Sequence, residues 1–372
     1  MTDPTKQVLM KAYMQQWGKA HIGADGAFEL TPRCTLDCKM CYVHLTREQM
    51  GDRRELSTEE WISIIDQAVE NGLLYALLTG GECMLHEGFK EIFLHLLNAG
   101  VVTSVNTNGL LLTDEMLEFF RLHRPNFVRI TLYGASEDGY ERCTGRRVFR
   151  QITENIDKLI SIGISPVIAL TLTKYCADEA VDMIRFARER GLKTSLDVAM
   201  LPPNDDTGRS ADFVLSPEEV VDVFSRIRRF YGSPFFENPP LETVPGPRKD
   251  VSPVYGLRCN GGRNRFTIRW DGRMQSCFEV GTGFDVRKLG FKACWDALLE
   301  DRRQILMPSE CFDCALRDTC IACYLYRHDP KDPMHCNPRT CAITVAKYKA
   351  GLTTLQPRSK TEEPVSAIGD DC

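Results

Sequence analysis

"LSTEEWISIIDQAVENGLLYALLTGGE", from Leu56 to Glu82, sets a helix directly before a strand. Ser57 stands three residues ahead of Glu60, the spacing of a capping box, and Trp61, Ile64, Ile65, Ala68 and Val69 follow at helical period until Gly72 stops the run. "YALLTGGE" is then a short apolar run closed by glycines, which reads as a buried strand. A helix leading straight into a buried strand is half of a parallel βα unit.

The alternation continues on both sides. Upstream lies "AFELT" (27–31); downstream lie "VVTSVNTNG" (101–109), "FVRITLYG" (127–134), "SPVIALTLTK" (165–174) and "KTSLDVAML" (193–201), with helical segments such as "RQITENIDKLISIG" (150–163) between them. Six strands predict an α/β fold, an incomplete barrel rather than a closed eightfold one. The polar groups "GGE", "TNG" and "YGAS" fall where strands end, on the face that holds the chemistry of parallel α/β folds.

"LSPEEVVDVFSRIRRFYG" (215–232) is a further capped helix, with Ser216 as cap, Pro217 at its first position and Glu219 three residues after the cap. A Pro-rich stretch follows, and beyond it short strands, "RFTIRW" and "RMQSCFEV", flank an Asp271–Gly272 turn. The expected organisation is a barrel at 1–232, a linker at 233–255, a small cysteine-rich unit at 256–350 and a disordered tail at 351–372.

The 372 residues carry 46 Lys and Arg against 51 Asp and Glu, a net charge of −5, so nothing resembles the basic footprint of a nucleic-acid binder. The N-terminus lacks the apolar region of a signal peptide, and no stretch approaches the roughly 18 apolar residues of a membrane span. A cytoplasmic location is expected, where disulfides are rare. Yet there are 16 cysteines, and 11 of them cluster: Cys34, Cys38 and Cys41, then Cys259, Cys277, Cys311, Cys314, Cys320, Cys323, Cys336 and Cys341. Metal binding is the economical explanation. Cys83, Cys143, Cys176, Cys294 and Cys372 stand alone, and Cys143, Cys176 and Cys294 read as buried small hydrophobes.

"LTPRCTLDCKMCY", from Leu30 to Tyr42, supplies three thiolates where a structural zinc takes four, with His44 the nearest rival ligand. A four-iron cluster held by three cysteines keeps one iron open to a small molecule. This C-x3-C-x2-C loop after a first strand resembles the radical S-adenosylmethionine (SAM) superfamily. The resemblance implies a partial (β/α)6 TIM-like barrel in which Cys34, Cys38 and Cys41 hold a 4Fe–4S cluster. Gly80, Gly81 and Glu82 match the family's Gly-Gly-Glu-Pro motif, which hydrogen-bonds the methionine ammonium of SAM, with Cys83 in place of the proline. Thr107 and Asn108 in "TNG", and Thr131 in "ITLYG", stand where similar enzymes contact the SAM carboxylate and ribose. Tyr42 is open to packing on adenine or in the core. In this family one electron cleaves SAM to a 5′-deoxyadenosyl radical, which takes a hydrogen atom from substrate. A zinc knuckle is the competing reading.

The later cysteines resemble the SPASM domain, an α+β extension of radical SAM peptide-modifying enzymes that holds auxiliary clusters. By that resemblance Cys259, Cys277 and Cys323 hold a first auxiliary cluster and Cys311, Cys314, Cys320 and Cys341 a second, with Cys336 available as the missing fourth ligand of the first. The spacing Cys320-x2-Cys323 departs from the family's x3, and no cysteine lies just upstream of Cys259. A pair of zinc sites is the alternative here. The implied function is oxidative maturation of a ribosomal peptide or protein side chain by crosslink, thioether or oxidation, with an electron donor such as flavodoxin or ferredoxin. Rival readings are the same machinery acting on a small molecule, and a non-catalytic zinc or iron–sulfur interaction protein. Only 26 residues precede the first strand, fewer than the roughly 50 of an independent domain, so leader recognition is expected from a separate protein or from the barrel mouth.

Overall fold

The computed structural model describes residues 12–13, 16–18, 20–198, 212–241, 260–277, 283–303, 308–311, 314–320, 323, 328–329, 332 and 335–355. Cys259, residues 242–255 of the expected linker and residues 356–372 of the expected tail lie outside them. The chain divides into two units, residues 1–214 with 260–302, and residues 215–259 with 303–372.

The first unit is built on β1 (Asp25–Glu29), β2 (Tyr75–Thr79), β3 (Val102–Thr107), β4 (Val128–Leu132), β5 (Val167–Thr171) and β6 (Lys193–Asp197). All six run parallel and pair in sequence order, β1 on β2 in the register Asp25↔Tyr75 to Glu29↔Thr79 and so on to β6. Between them lie α1 (Thr58–Glu70), α2 (Phe89–Asn98), α3 (Asp114–Leu122), α4 (Glu137–Thr144), α5 (Phe149–Ser161) and α6 (Ala180–Glu189). The expected capping box of α1 is present: Ser57 accepts from the Glu60 N–H, and the Glu60 side chain accepts from the Ser57 N–H. One face of α1, with Trp61, Ile64, Ile65 and Ala68, is buried, and Trp61 meets Phe28 of β1 edge to face at 6.0 Å. Burying a side chain such as Phe28 contributes about 1.5–3 kcal/mol.

The alternation of burial fixes which way each strand faces. Val128, Ile130 and Leu132 of β4 are fully buried, whereas Arg129 and Thr131 are part-exposed on the opposite face. The first set faces the helices and the second the inside of the barrel.

β7 (Arg265–Ile268) pairs parallel to β1, and β8 (Arg273–Gln275) and β9 (Phe284–Asp285) continue antiparallel from it. The sequence pattern groups this hairpin with the later cysteines; the structure adds it to the barrel sheet. The physical reason is the free edge of β1, whose unpaired N–H and C=O groups β7 satisfies. Asp25 and Arg265 reinforce the pairing with an ion pair at 2.5 Å. The sheet reads β6-β5-β4-β3-β2-β1-β7-β8-β9 and ends at β6 and β9, so the barrel is open.

The second unit contains α7 (Pro217–Phe230), while α8 (Phe291–Arg303) lies almost wholly in the first; α9 (Pro338–Lys349) returns to the second. Lys347 of α9 sits over the Phe224 ring of α7 at 4.2 Å, and Arg339 donates to the Leu215 carbonyl at 2.7 Å. The described start of the Pro-rich stretch, 233–241, has no helix or strand but is tied to α9 and to the residues that follow it, through Asn238 donating to the Tyr348 and Thr353 carbonyls.

Candidate metal and cofactor sites

The loop after β1 carries the first three cysteines, and its backbone is held from several sides. The Lys39 N–H donates to the Cys143 carbonyl and the Asp37 N–H to the Thr144 carbonyl, both at the end of α4. Arg146 donates to the Thr35 carbonyl at 2.8 Å. Arg33 makes a two-pronged contact with Glu55, at 2.7 and 2.9 Å, and Thr31 donates to the same carboxylate. Cys38 is buried; Cys34 and Cys41 are part-exposed.

Each of the three sulfurs accepts a hydrogen bond. Cys34 accepts from the Leu36 N–H at 3.4 Å and the Asn108 side chain at 3.5 Å, and Cys41 from the His44 N–H at 3.2 Å. Cys38 accepts from the Tyr133 hydroxyl, which is close to all three thiols. Burial pushes the Cys34 thiol up to about 12, against the pull of the Leu36 N–H. It is therefore a thiol until a cation displaces its proton.

His44, the rival ligand, faces Asp37 at 3.5 Å. Among the described residues no three Cys, His, Asp or Glu side chains are grouped about a single metal position. Three thiols supplied by one loop, each with a hydrogen-bond donor, form a donor set whose chemistry fits an iron–sulfur cluster.

Gly80, Gly81 and Glu82 lie against the start of this loop. The Gly81 N–H donates to the Thr31 carbonyl and the Glu82 N–H to the Arg33 carbonyl, each at 2.8 Å. Gly80 has φ +143°, and a Cβ there would fall 2.5 Å from the Thr31 oxygen; one on Gly81 would overlap the Arg33 carbonyl. Two backbones touch here, and only glycine allows it.

Glu82 is fully buried. Its Oε2 accepts from the Thr107 hydroxyl at 2.8 Å and the Asn108 N–H at 2.9 Å, and its Oε1 from the Met84 N–H at 3.4 Å. Burial pushes this carboxyl up, and those donors oppose it. Asn108 also donates to Thr35 at 2.9 Å and accepts from the Leu110 N–H at 3.0 Å. Gly80, Gly81, Glu82, Thr107, Asn108 and Cys34 are thus one network joining the ends of β1, β2 and β3. Thr131 stands apart from it, part-exposed on the inner face of β4.

Two contacts were missed from sequence. Tyr133 follows β4 in "LYGAS", where alternation marks only its side of the strand. Arg146 reaches the loop across 111 residues, and no local pattern signals that.

In the second unit Cys311, Cys314, Cys320, Cys336 and Cys341 line one cavity. Cys277 follows β8 in the first unit, and Cys323 belongs to the second. Cys83, Cys143, Cys176 and Cys294 are fully buried. Tyr42 is part-exposed.

The model of the Radical SAM superfamily matches residues 28–175, the span from β1 past β5 that contains the cysteine loop and the strand-end network. The chain carries a radical SAM domain. Over 189 residues it is 30% identical to the antilisterial bacteriocin subtilosin biosynthesis protein AlbA of Bacillus subtilis, covering 50% of this chain and 41% of AlbA. Over 167 residues it is 31% identical to the sporulation killing factor maturation protein SkfB of the same organism, covering 44% of this chain and 39% of SkfB. The chain thus spans about two fifths of the length of these relatives. The fold extends beyond the radical SAM domain: Streptococcus suis SuiB, solved bound to S-adenosylmethionine, superposes with a TM-score of 0.64 over 92% of this chain and 83% of its own, at 17% identity. No helix among the described residues is long and apolar enough to cross a membrane.

Proposed function

We propose that this chain is a radical SAM enzyme that modifies a side chain of a peptide or protein by hydrogen abstraction. The observation that carries the reading is the network at the ends of β1, β2 and β3, where Glu82 and Asn108 tie the Gly-Gly-Glu turn to the three-cysteine loop. Cys34, Cys38 and Cys41 would hold the cluster, and the strand ends around Gly80, Gly81, Glu82, Thr107, Asn108 and Thr131 would receive SAM. When bound, cluster and SAM supply the electron and the organic radical. The chain's own residues would orient both. Arg33–Glu55 and Arg146 fix the loop, so the sulfur positions are set before metal arrives.

Peptide as the substrate class is supported by AlbA and SkfB, whose names refer to making peptide products, and by SuiB, which has also been solved bound to its precursor peptide SuiA. A second supporting feature is the cavity of cysteines in the second unit, which suits an auxiliary cluster able to take an electron from a product radical. A flavodoxin or ferredoxin would feed the first cluster in the cytoplasm, and a separate protein or the barrel mouth would recognise the peptide.

The test uses anaerobic, iron-loaded full-length protein with SAM, a reductant and candidate peptides. The expected result is cleavage of SAM to methionine and 5′-deoxyadenosine, lost in Cys34→Ala, with a peptide product lighter by a pair of hydrogens or carrying a new crosslink. Undiminished SAM cleavage in Cys34→Ala would overturn the assignment of the cluster. Turnover of small molecules alone would overturn the peptide reading.

A further inference from the structure

Arg129 stands on the inner face of β4 without a counterion. Its Nε is buried with no hydrogen-bond partner, and among the described residues its guanidinium makes no ion pair. It lies 5.5 Å from the centre of the Phe127 ring. The nearest charge to act on it is a second cation, Arg265, already paired with Asp25. Other arginines of the same unit, Arg33, Arg142 and Arg190, each hold a carboxylate. Beside Arg129 in register on β3 is Asn106, whose Oδ1 is also buried without a hydrogen-bond partner. On its other side, on β5, the register neighbour is Val167, which has no polar side-chain atom to offer.

A buried donor and acceptor left unmatched both cost free energy, and a desolvated cation without a partner costs more. Two such groups side by side on one inner face hold a place for a group with a negative charge and an N–H. Strand alternation sets Arg129, Thr131 and Tyr133 on one line, with Tyr133 at the Cys38 sulfur and Thr131 among the residues assigned to SAM. Arg129 follows about 7 Å further into the barrel, at two residues of strand rise. We propose that Arg129 and Asn106 form a specificity site inside the barrel, where Arg129 binds a carboxylate of the substrate peptide through its planar fork and Asn106 Oδ1 accepts a backbone N–H next to it. This rests on the peptide reading above. The carboxylate is that of an acidic side chain or of the peptide's C-terminus, which a guanidinium recognises alike.

The test incubates anaerobic, iron-loaded full-length protein, SAM and a reductant with three pools of acetylated pentapeptides built from neutral residues other than Cys. The first has Glu at the centre and an amidated end, the second Gln at the centre and an amidated end, and the third Gln at the centre and a free C-terminal carboxylate. Peptides retained with the protein on ultrafiltration are measured by mass spectrometry. Wild type is expected to retain the first or the third pool roughly tenfold above the second. Arg129→Met is expected to lose that preference and Arg129→Lys to keep only part of it. The melting temperature of Arg129→Met is expected not to fall, because the residue removed is an unpaired cation. Equal retention of all three pools by wild type overturns the proposal, as does a preference that persists in Arg129→Met. If Arg129→Met melts below wild type, Arg129→Lys decides, and an undiminished preference there overturns the proposal. SAM cleavage by wild type in the same samples keeps the two readings apart: without it the enzyme reading falls and this one with it, whereas cleavage with equal retention sinks this one alone.

Discussion

Asn108 joins a strand end to the three-cysteine loop through one amide, donating to Cys34 at 3.5 Å and to Thr35 at 2.9 Å. Asn108→Ala removes an N–H from the sulfur of a proposed ligand without replacing any of the three cysteines. It should cost about 1 kcal/mol of stability, keep the iron, and shift the first cluster to a more negative potential. Chemical denaturation with an EPR-monitored redox titration checks both, and an unchanged potential would remove Asn108 from the cluster's environment. Glu82 carries a heavier consequence, because four donors converge on its buried carboxylate, the Thr107 hydroxyl, the Asn108 and Met84 N–H groups and the Cys83 thiol. Glu82→Ala leaves them unmet, so a loss of roughly 2–3 kcal/mol is expected together with weaker SAM binding. Weaker SAM binding at unchanged stability would instead mean that the carboxylate touches SAM itself. These residues were legible from sequence as polar strand ends in the right order. That they bind one another was not, since the bonds span 25 to 74 residues. Tyr133 escaped notice for the same reason: strand alternation reports a face, not a partner.

Helix starts are where sequence speaks most directly, because a cap is settled within four residues. Ser57 and Glu60 form the box that their spacing predicts, and Arg54 holds the Glu60 carboxyl down at about 2. Glu60→Ala should cost about 1 kcal/mol. The sign with pH follows from the lowered value: the contribution is present above the unfolded carboxylate's range near 4.3 and is lost as pH falls toward 2, so the wild-type advantage over Glu60→Ala should shrink on acidification. Denaturation of both proteins at neutral and acid pH tests this. The turn after β2 is less forgiving. Gly81→Ala drives a methyl into the Arg33 carbonyl, one residue before Cys34, and should reduce iron bound by the first site. Wild-type iron in that variant would show that the two backbones can part. The Asp271–Gly272 hairpin was equally readable as a hairpin, and Gly272 has the φ of +84° that such turns need. Its membership of the barrel sheet was not, because parallel pairing of β7 on β1 leaves no local signature.

For the molecule as a whole, the cysteines of the first loop and those of the cavity belong to different units, so their metal contents should be separable. Replacing Cys34, Cys38 and Cys41 with Ala is expected to remove about four irons and leave the rest bound. Iron and zinc analysis of anaerobic protein checks this, and complete loss of iron would mean that the sites load only together. The open barrel was legible because six strands and their helices repeat with local punctuation. The contents of the second unit were legible only as cysteine spacing, a pattern that names ligands but does not say which five share a wall.

Asp25 and Arg265 are 240 residues apart, yet they secure the pairing of neighbouring strands. On a translating ribosome, at roughly 5–20 residues per second, β1 therefore waits about 10–50 s for its second partner. During that interval its edge is open to strands of other nascent chains, and the cysteine loop that it leads into is already outside the exit tunnel. Slow codons between β6 and β7 would lengthen this exposure, so yield of soluble protein should respond to synonymous changes in that region even though the finished sequence is identical.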